Sequence, residues 1–286
     1  MLLHCGSQIL DLSTPRVMGV LNVTPDSFSD GGRFNHHDAA VARAKQMLAE
    51  GADIIDIGGE STRPGATSVS ASEELQRVVS VIASIHAAHP EALISIDTSK
   101  AEVMRAAIDA GATIINDVRA LTESGALNVA ASSNVAVCIM HMQGQPAEMQ
   151  VAPRYGKLLA EVSEFLRERT AACEMAGIAR NRIVVDPGIG FGKALSHNLE
   201  ILAHLPELLQ QQLPLMIGVS RKSLFGELLG RAVEQRLAGS VALATASVLA
   251  GASIIRAHDV AATVDVVRTA YALRQAGYTV ARSLNA

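Results

Sequence analysis

Apolar residues come along this chain in eight short runs, and each run stops on a polar residue. Val17 to Leu21 ends on Asn22, Ile54 to Gly59 on Glu60, Leu93 to Ile96 on Asp97, and Ile114-Ile115 on Asn116 and Asp117. Val135 to Met140 ends on His141, Ile183 to Val185 on Asp186, Leu215 to Val219 on Ser220, Arg221 and Lys222, and Ile254-Ile255 on Arg256 and His258. Short, nearly continuous apolar runs of this kind read as strands covered on both faces. Helical stretches lie between them, over about 38–50, 72–88, 99–110, 122–132, 155–176, 197–205, 234–250 and 260–276. The phrase Gly-Ala-x-Ile-Ile occurs three times, at Gly51, Gly111 and Gly251, and marks a helix end followed at once by a strand.

Eight strands alternating with eight helices give the accounting of a (β/α)8 TIM barrel, an α/β fold whose site lies at the strand C-termini. An open doubly wound sheet shows the same alternation. The barrel is preferred because regular units use up residues 1–286 as one domain, with no linker or break in composition. Residues 1–15 read as an N-terminal hairpin able to plug the opposite end. Segments 22–37 and 59–71 read as mobile loops on the active face. Ser70-x-x-Glu73 and Ser99-x-x-Glu102 have capping-box spacing, and Gly51, Gly111, Gly177, Gly251 and Gly277 stand where helices should end.

Composition narrows the function classes. The chain is 49% hydrophobic but only 3% aromatic with no Trp, so its core is aliphatic. With 24 basic against 28 acidic residues, the net charge of −4 argues against a nucleic-acid partner. The N-terminus shows no signal peptide, and Leu237 to Ile255, though uncharged, is diluted by Gly, Ser and Thr and divided at Gly251, which excludes a membrane span. Three widely spaced cysteines fit a reducing compartment, and a cytoplasmic location is expected. The helix expected over 234–250 is small or apolar nearly all round, which predicts a homodimer through this face and a neighbouring one.

The chemistry concentrates after the strands. The first is followed by Asn22-Val23-Thr24-Pro25-Asp26-Ser27-Phe28-Ser29-Asp30-Gly31-Gly32, the second by Gly58-Gly59-Glu60-Ser61-Thr62-Arg63-Pro64-Gly65. Turn formation accounts for the Gly, Pro, Asp and Ser but not for Phe28 or Arg63. Gly188-x-Gly190-x-Gly192-Lys193 is not a P-loop, since Pro187 stands where the first Gly belongs and Ala194 where Ser or Thr does. It reads as a tight turn packing its backbone against a flat ligand, with Lys193 solvated.

These two loops resemble signatures of the dihydropteroate synthase family. So do Asp97-Thr98, Asn116-Asp117, Met140-His141-Met142, Asp186 through Lys193, Ser220-Arg221-Lys222 and Arg256-x-His258-Asp259, a resemblance running from Val17 to Asp259. It implies displacement of diphosphate from (7,8-dihydropterin-6-yl)methyl diphosphate by p-aminobenzoate, giving 7,8-dihydropteroate. A pterin offers N–H donors beside ring acceptors, so carboxylates and an amide held at strand ends suit it, namely Asp97, Asn116 and Asp186. Lys222 would meet ring acceptors and Arg256 stack on the ring. The resemblance further implies that Asn22, Arg63, Arg256 and His258 hold the diphosphate, with Mg²⁺ on Asn22. It places Phe28, Thr62, Pro64, Ser220 and Lys222 around p-aminobenzoate and Asp30 opposite the carbocation, with sulfonamides as competitors. Asp30, Arg63, Lys222, Arg256 and His258 form the expected catalytic set. Asp56, His141 and His36-His37 stay unassigned. A corrinoid-linked methyltransferase barrel would share Asp97 and Asn116 but has no use for the Arg63 loop, and a non-catalytic pterin-binding paralogue would show decay in the two loops.

Overall fold

In the computed structural model, residues 1–24, 33–61, 68–144, 149 and 152–278 are described. Eight parallel strands form the barrel wall: β3 (Arg16–Asn22), β4 (Ile54–Gly58), β5 (Leu93–Asp97), β6 (Ile114–Asp117), β7 (Ala136–Met140), β8 (Ile183–Asp186), β9 (Met216–Gly218) and β10 (Ile254–Ala257). They are hydrogen bonded in the order β8-β7-β6-β5-β4-β3-β10-β9. The remaining seam, between β8 and β9, is closed by a single parallel bridge, Val185 to Leu215, beside which Val185 N donates to Pro214 O at 3.0 Å. The first two strands, β1 (Leu2–Cys5) and β2 (Gln8–Asp11), make the expected antiparallel hairpin.

Helices α1 (Arg33–Ala49), α2 (Ala71–Ala88), α3 (Ala101–Asp109), α4 (Ala126–Ser132), α5 (Leu158–Met175), α6 (Leu195–Ala203), α7 (Leu205–Leu208), α8 (Leu224–Leu229), α9 (Leu237–Leu249) and α10 (Val260–Gln275) connect the strands. Two of these were not expected as separate elements. The stretch at 197–205 breaks at His204 before Pro206 into α6 and α7, and α8 precedes the helix expected from 234, which begins at Leu237. Segment 22–37 is not all loop, because α1 starts at Arg33.

The five anticipated helix-ending glycines all have positive φ, from 90° at Gly277 to 117° at Gly111, as a left-handed closing residue requires. Ser70 caps α2, its Oγ accepting from Glu73 N at 3.2 Å. Ser99 does not cap α3. Lys100 occupies that position, and the Ser99 hydroxyl instead donates to Asp117 Oδ1, an acceptor that also takes the Arg119 amide.

Side chains alternate across the wall because successive strand residues point to opposite faces. Outward positions such as Val17, Ile55, Ile94, Ile115, Val137, Ile183, Ile217 and Ile255 join the buried layer under the helices. A second, smaller cluster lies inside the barrel. One residue from each strand, Met18, Ile54, Leu93, Ile114, Ala136, Val184, Met216 and Ile254, meets Leu3, Cys5, Leu10 and Leu12 of the hairpin and Cys138. The hairpin therefore seals the N-terminal end with an apolar floor. Above that floor the inward positions turn polar, and the site begins.

Candidate active site

The inward side chains two residues further along the strands are Asp56, Ser95, Asn116, Asp186 and Arg256, with Asp97 one step higher. Gly58 and Gly218 stand beside them, where added Cβ atoms would contact the Asp97 and Arg256 side chains. Leaving out those side chains keeps space open at the C-terminal mouth.

Arg256 organises the centre. Its Nε donates to Asp56 Oδ2 at 2.6 Å and its Nη2 to Asp97 Oδ2 at 2.7 Å, while Asn116 Nδ2 reaches the same Asp56 oxygen at 3.0 Å. Burial works against the guanidinium's charge, but the two carboxylates more than offset it and raise its pKa. Asp97 shows the reverse balance. Burial pushes its carboxyl up to about 7 against the pull of Arg256, with Asp56 adding repulsion. Asp56 Oδ1, Asp97 Oδ1 and Ser95 Oγ are buried without a hydrogen-bond partner among the described residues. Leaving such atoms unpaired is costly, so a ligand with donors is the expected complement.

On the opposite wall, Asp186 ends β8 and takes the Gly188 amide on Oδ1 at 2.7 Å. Burial raises its pKa, moderated chiefly by Lys222. Lys222 Nζ donates to Ile189 O and sits 4.3 Å from the centre of the Phe191 ring. Burial lowers that ammonium to about 8 although Asp186 favours its charge. Ser220 and His258 are brought together, the Ser220 Oγ lying 3.1 Å from both His258 N and His258 Nδ1. Arg221, at φ 58°, is held in left-handed backbone while its side chain pairs with Asp259 and its amide donates to Ser240 Oγ. Asn22 ends β3 at the rim and is half-buried.

Of the residues expected in the site, Asn22, Asp97, Asn116, Asp186, Ser220, Lys222, Arg256 and His258 all fall at the C-terminal mouth. Phe28, Asp30, Thr62, Arg63 and Pro64 lie outside the described residues.

One expectation needs correcting. Lys193 is not solvated but 2% exposed, with its Nζ inside the 187–193 turn. Two glycines of that turn are also required by the protein's own packing. A Cβ on Gly188 would lie 1.9 Å from His141 O, and one on Gly192 would lie 2.3 Å from Gln143 O. Asp56, left unassigned, is fully buried at the centre. Its signal was present in period two, since Ile54, Asp56 and Gly58 share the inner face.

A cavity of about 480 Å³ opens beside Asp97, lined by Glu60, Ser61, Glu74, Thr98, Lys100 and Arg119 among others. Lys100 pairs there with both Glu60 and the fully buried Glu74, and Arg77 donates to Gly59 O at 2.6 Å. The stem of the second loop is thereby tied to α2 and to the β5–α3 joint, a linkage no local motif announces. Among the described residues no group of three or more His, Cys, Asp or Glu could hold a metal ion, and no helix is long and apolar enough to cross a membrane.

Residues 18–258 match the family model described as pterin binding enzyme. The dihydropteroate synthase of Escherichia coli is 52% identical over 267 residues, which is 93% of this chain and 94% of that protein. The Haemophilus influenzae enzyme is 48% identical over 248 residues, 87% and 90% of the two chains. Among solved structures, the Yersinia pestis dihydropteroate synthase in a sulfonamide drug complex superposes with a TM-score of 0.91 at 51% identity, covering 96% of this chain and 100% of that one. The Xanthomonas albilineans enzyme in complex with 7,8-dihydropteroate gives 0.86 at 47%, covering 96% and 99%. With the polar strand ends converging as they do, these likenesses show that the chain belongs to the dihydropteroate synthase family.

Proposed function

We propose that this chain joins p-aminobenzoate to (7,8-dihydropterin-6-yl)methyl diphosphate, giving 7,8-dihydropteroate and diphosphate. The observation that carries the pterin assignment is the pair of buried carboxylate oxygens on Asp56 and Asp97 that have no partner among the described residues, on the wall across the barrel from Asp186 and Lys222. Pterin N–H groups would satisfy such acceptors, and Lys222 would serve the ring acceptors. Arg256 has its Nε and Nη2 engaged, which leaves its flat face for the ring.

In the reaction the bond from the pterin CH₂ to the diphosphate oxygen breaks, and a bond from the arylamine nitrogen to that carbon forms. The amine proton is released. Little acid or base is needed, because the pterin stabilises a cationic CH₂ and an arylamine is neutral at pH 7. The protein's contribution is charge placement, with Arg256 and His258 on the departing diphosphate, joined by Arg63 from the second loop. Asp30 would face the cation, and Phe28, Thr62, Pro64, Ser220 and Lys222 would receive p-aminobenzoate. A structure of the Xanthomonas albilineans relative holds 4-aminobenzoic acid, which supports that second substrate.

Mg²⁺ fits the donors present. Asn22 offers a hard amide oxygen at the rim, and Mg²⁺ needs few protein ligands because it keeps its waters and takes substrate oxygens. When bound it supplies charge to the leaving diphosphate.

The assembly we propose is a homodimer through α9. Its outward residues Ala238, Ala242 and Ala246 are exposed, as are Leu228, Leu229, Val233 and Leu237 near its start. The location we propose is the cytoplasm, in keeping with three cysteines that are all unpaired and buried.

The test is incorporation of labelled p-aminobenzoate into a pteroate by the purified chain. Product should require both substrates. No product, with tight pterin binding by calorimetry, would overturn the synthase reading in favour of a non-catalytic binder.

A further inference from the structure

Lys193 carries an ammonium group into the protein with no carboxylate hydrogen bonded to it among the described residues. Its side chain folds back beneath the turn it closes. Nζ donates to the carbonyls of Gly188 at 3.0 Å, Phe191 at 3.0 Å and His141 at 3.3 Å, and lies 2.9 Å from His141 Nδ1. Burial and then the Lys193 charge push the imidazole down to about 3, so His141 is neutral and offers Nδ1 as an acceptor. Three ammonium protons are thus shared among four acceptors.

A cross-brace between two loops would explain that much, but the arrangement reaches further. Gly188 takes Lys193 on its carbonyl and gives its own N–H to Asp186 Oδ1 at 2.7 Å. The His141 amide donates to the Asp186 carbonyl at 2.9 Å. The buried cation therefore stands one glycine behind the Asp186 carboxylate, among the loops that follow β7 and β8.

We propose that Lys193 is a positioning residue for the pterin site, a fixed internal cation that braces the 187–193 turn and keeps the Asp186 carboxylate ionised to receive pterin N–H groups. The inference rests on the pterin reading of Asp186 given above. Asp186 is faced by Lys222 from the β9 end, Arg256 from β10, the Cys138 thiol from β7 and Lys193 from its own loop. Lys193 is faced by His141, Asp186 and Lys222. Burial lowers Lys193 to about 7, so it carries its charge below neutral pH.

The sign is fixed. Taking away a neighbouring positive charge raises a carboxyl pKa, so the pH below which pterin binding fails must move upward. Because the Asp97 carboxyl also titrates in this range, the experiment pairs calorimetric titration of 6-hydroxymethylpterin into the wild-type chain and Lys193→Met between pH 4 and 8 with the carbon resonance of the Asp186 carboxyl, which reads that group alone, and circular dichroism confirms the fold. Lys193 is the most weakly coupled of the cations acting on Asp186, so the expected result is an acid limb displaced upward by about half a pH unit in the variant, with binding within the limb roughly threefold weaker.

An acid limb in the same place, whether affinity is unchanged or uniformly weakened, would overturn the proposal and leave at most a structural brace. Wild-type protein that fails to bind 6-hydroxymethylpterin would instead overturn the pterin reading beneath it. If the variant does not fold, the unaltered protein decides the matter by nuclear magnetic resonance. Protonation of the Asp186 carboxyl carbon signal should displace the Lys193 Nζ signal with the same midpoint, and independent titrations would refute the coupling.

Discussion

Replacing Asp97 by Asn separates a binding role from a scaffolding one, because the two predict opposite signs. In the native site Asp97 Oδ2 receives Arg256 Nη2 at 2.7 Å, and Oδ1 is buried without a partner among the described residues. An amide in the same place keeps its oxygen toward the guanidinium, since two opposed donors would repel, and so presents NH₂ where the open acceptor had been. A pterin N–H then faces a donor. Losing a hydrogen bond to a charged, buried group costs about 1.5–3 kcal/mol, or roughly 10- to 150-fold in affinity.

Stability moves the other way. The folded Asp97 carboxyl sits at about 7, raised by burial above the ordinary carboxylate value of 3.8. Between those values the native state binds more protons than the unfolded chain, so wild-type stability falls as pH rises through that window. Asn removes the titration while Arg256 keeps Asp56. The Asp97→Asn protein should therefore match or exceed wild type in thermal denaturation at pH 8, with an advantage that shrinks as pH falls toward 4. Calorimetry with 6-hydroxymethylpterin gives the binding arm. Affinity within twofold of wild type, or a joint loss of binding and stability, would refute this account of the pocket.

Three further outcomes follow from other parts of the structure. Gly188→Ala sets a Cβ 1.9 Å from His141 O at a φ of 70°, and should cost ~3 kcal/mol or more, seen as a fall in Tm of roughly 6–12 °C; an unchanged Tm would show that the turn can move. Wild-type chain should sediment as a dimer and Ala242→Glu, on the exposed stripe of α9, as a monomer, whereas monomeric wild type would exclude the proposed interface. Chelation should abolish turnover and added Mg²⁺ restore it; Asn22→Ala should raise the Mg²⁺ requirement about tenfold with pterin affinity intact, and an unaltered requirement would remove Asn22 from the metal site.

The barrel was legible because its units are local. Each apolar run predicts one strand, the glycines after helices close them in left-handed backbone, and the polar residue ending each run falls at the mouth by geometry alone. What escaped depends on distance in sequence. Asp56 hid inside an apolar run, and its role appears only when Arg256, 200 residues away, and Asn116 meet it. Lys193 looked solvated because its acceptors include His141, 52 residues earlier. The spacing from Ser99 to Glu102 satisfied a capping template, but the Asp117 carboxylate, brought alongside by β6, competes for the Ser99 hydroxyl. Helix α8 was missed because its six residues are too short to show a helical period.

The seam between β8 and β9 has a consequence for the ligand. Elsewhere the wall is zipped by backbone ladders, but here one bridge joins strands whose ends carry Asp186 and, just beyond, Lys222. A pterin gripped by both would add a rung beside that bridge, fastening the two strands side chain to side chain. Occupancy would then finish the barrel as well as fill it.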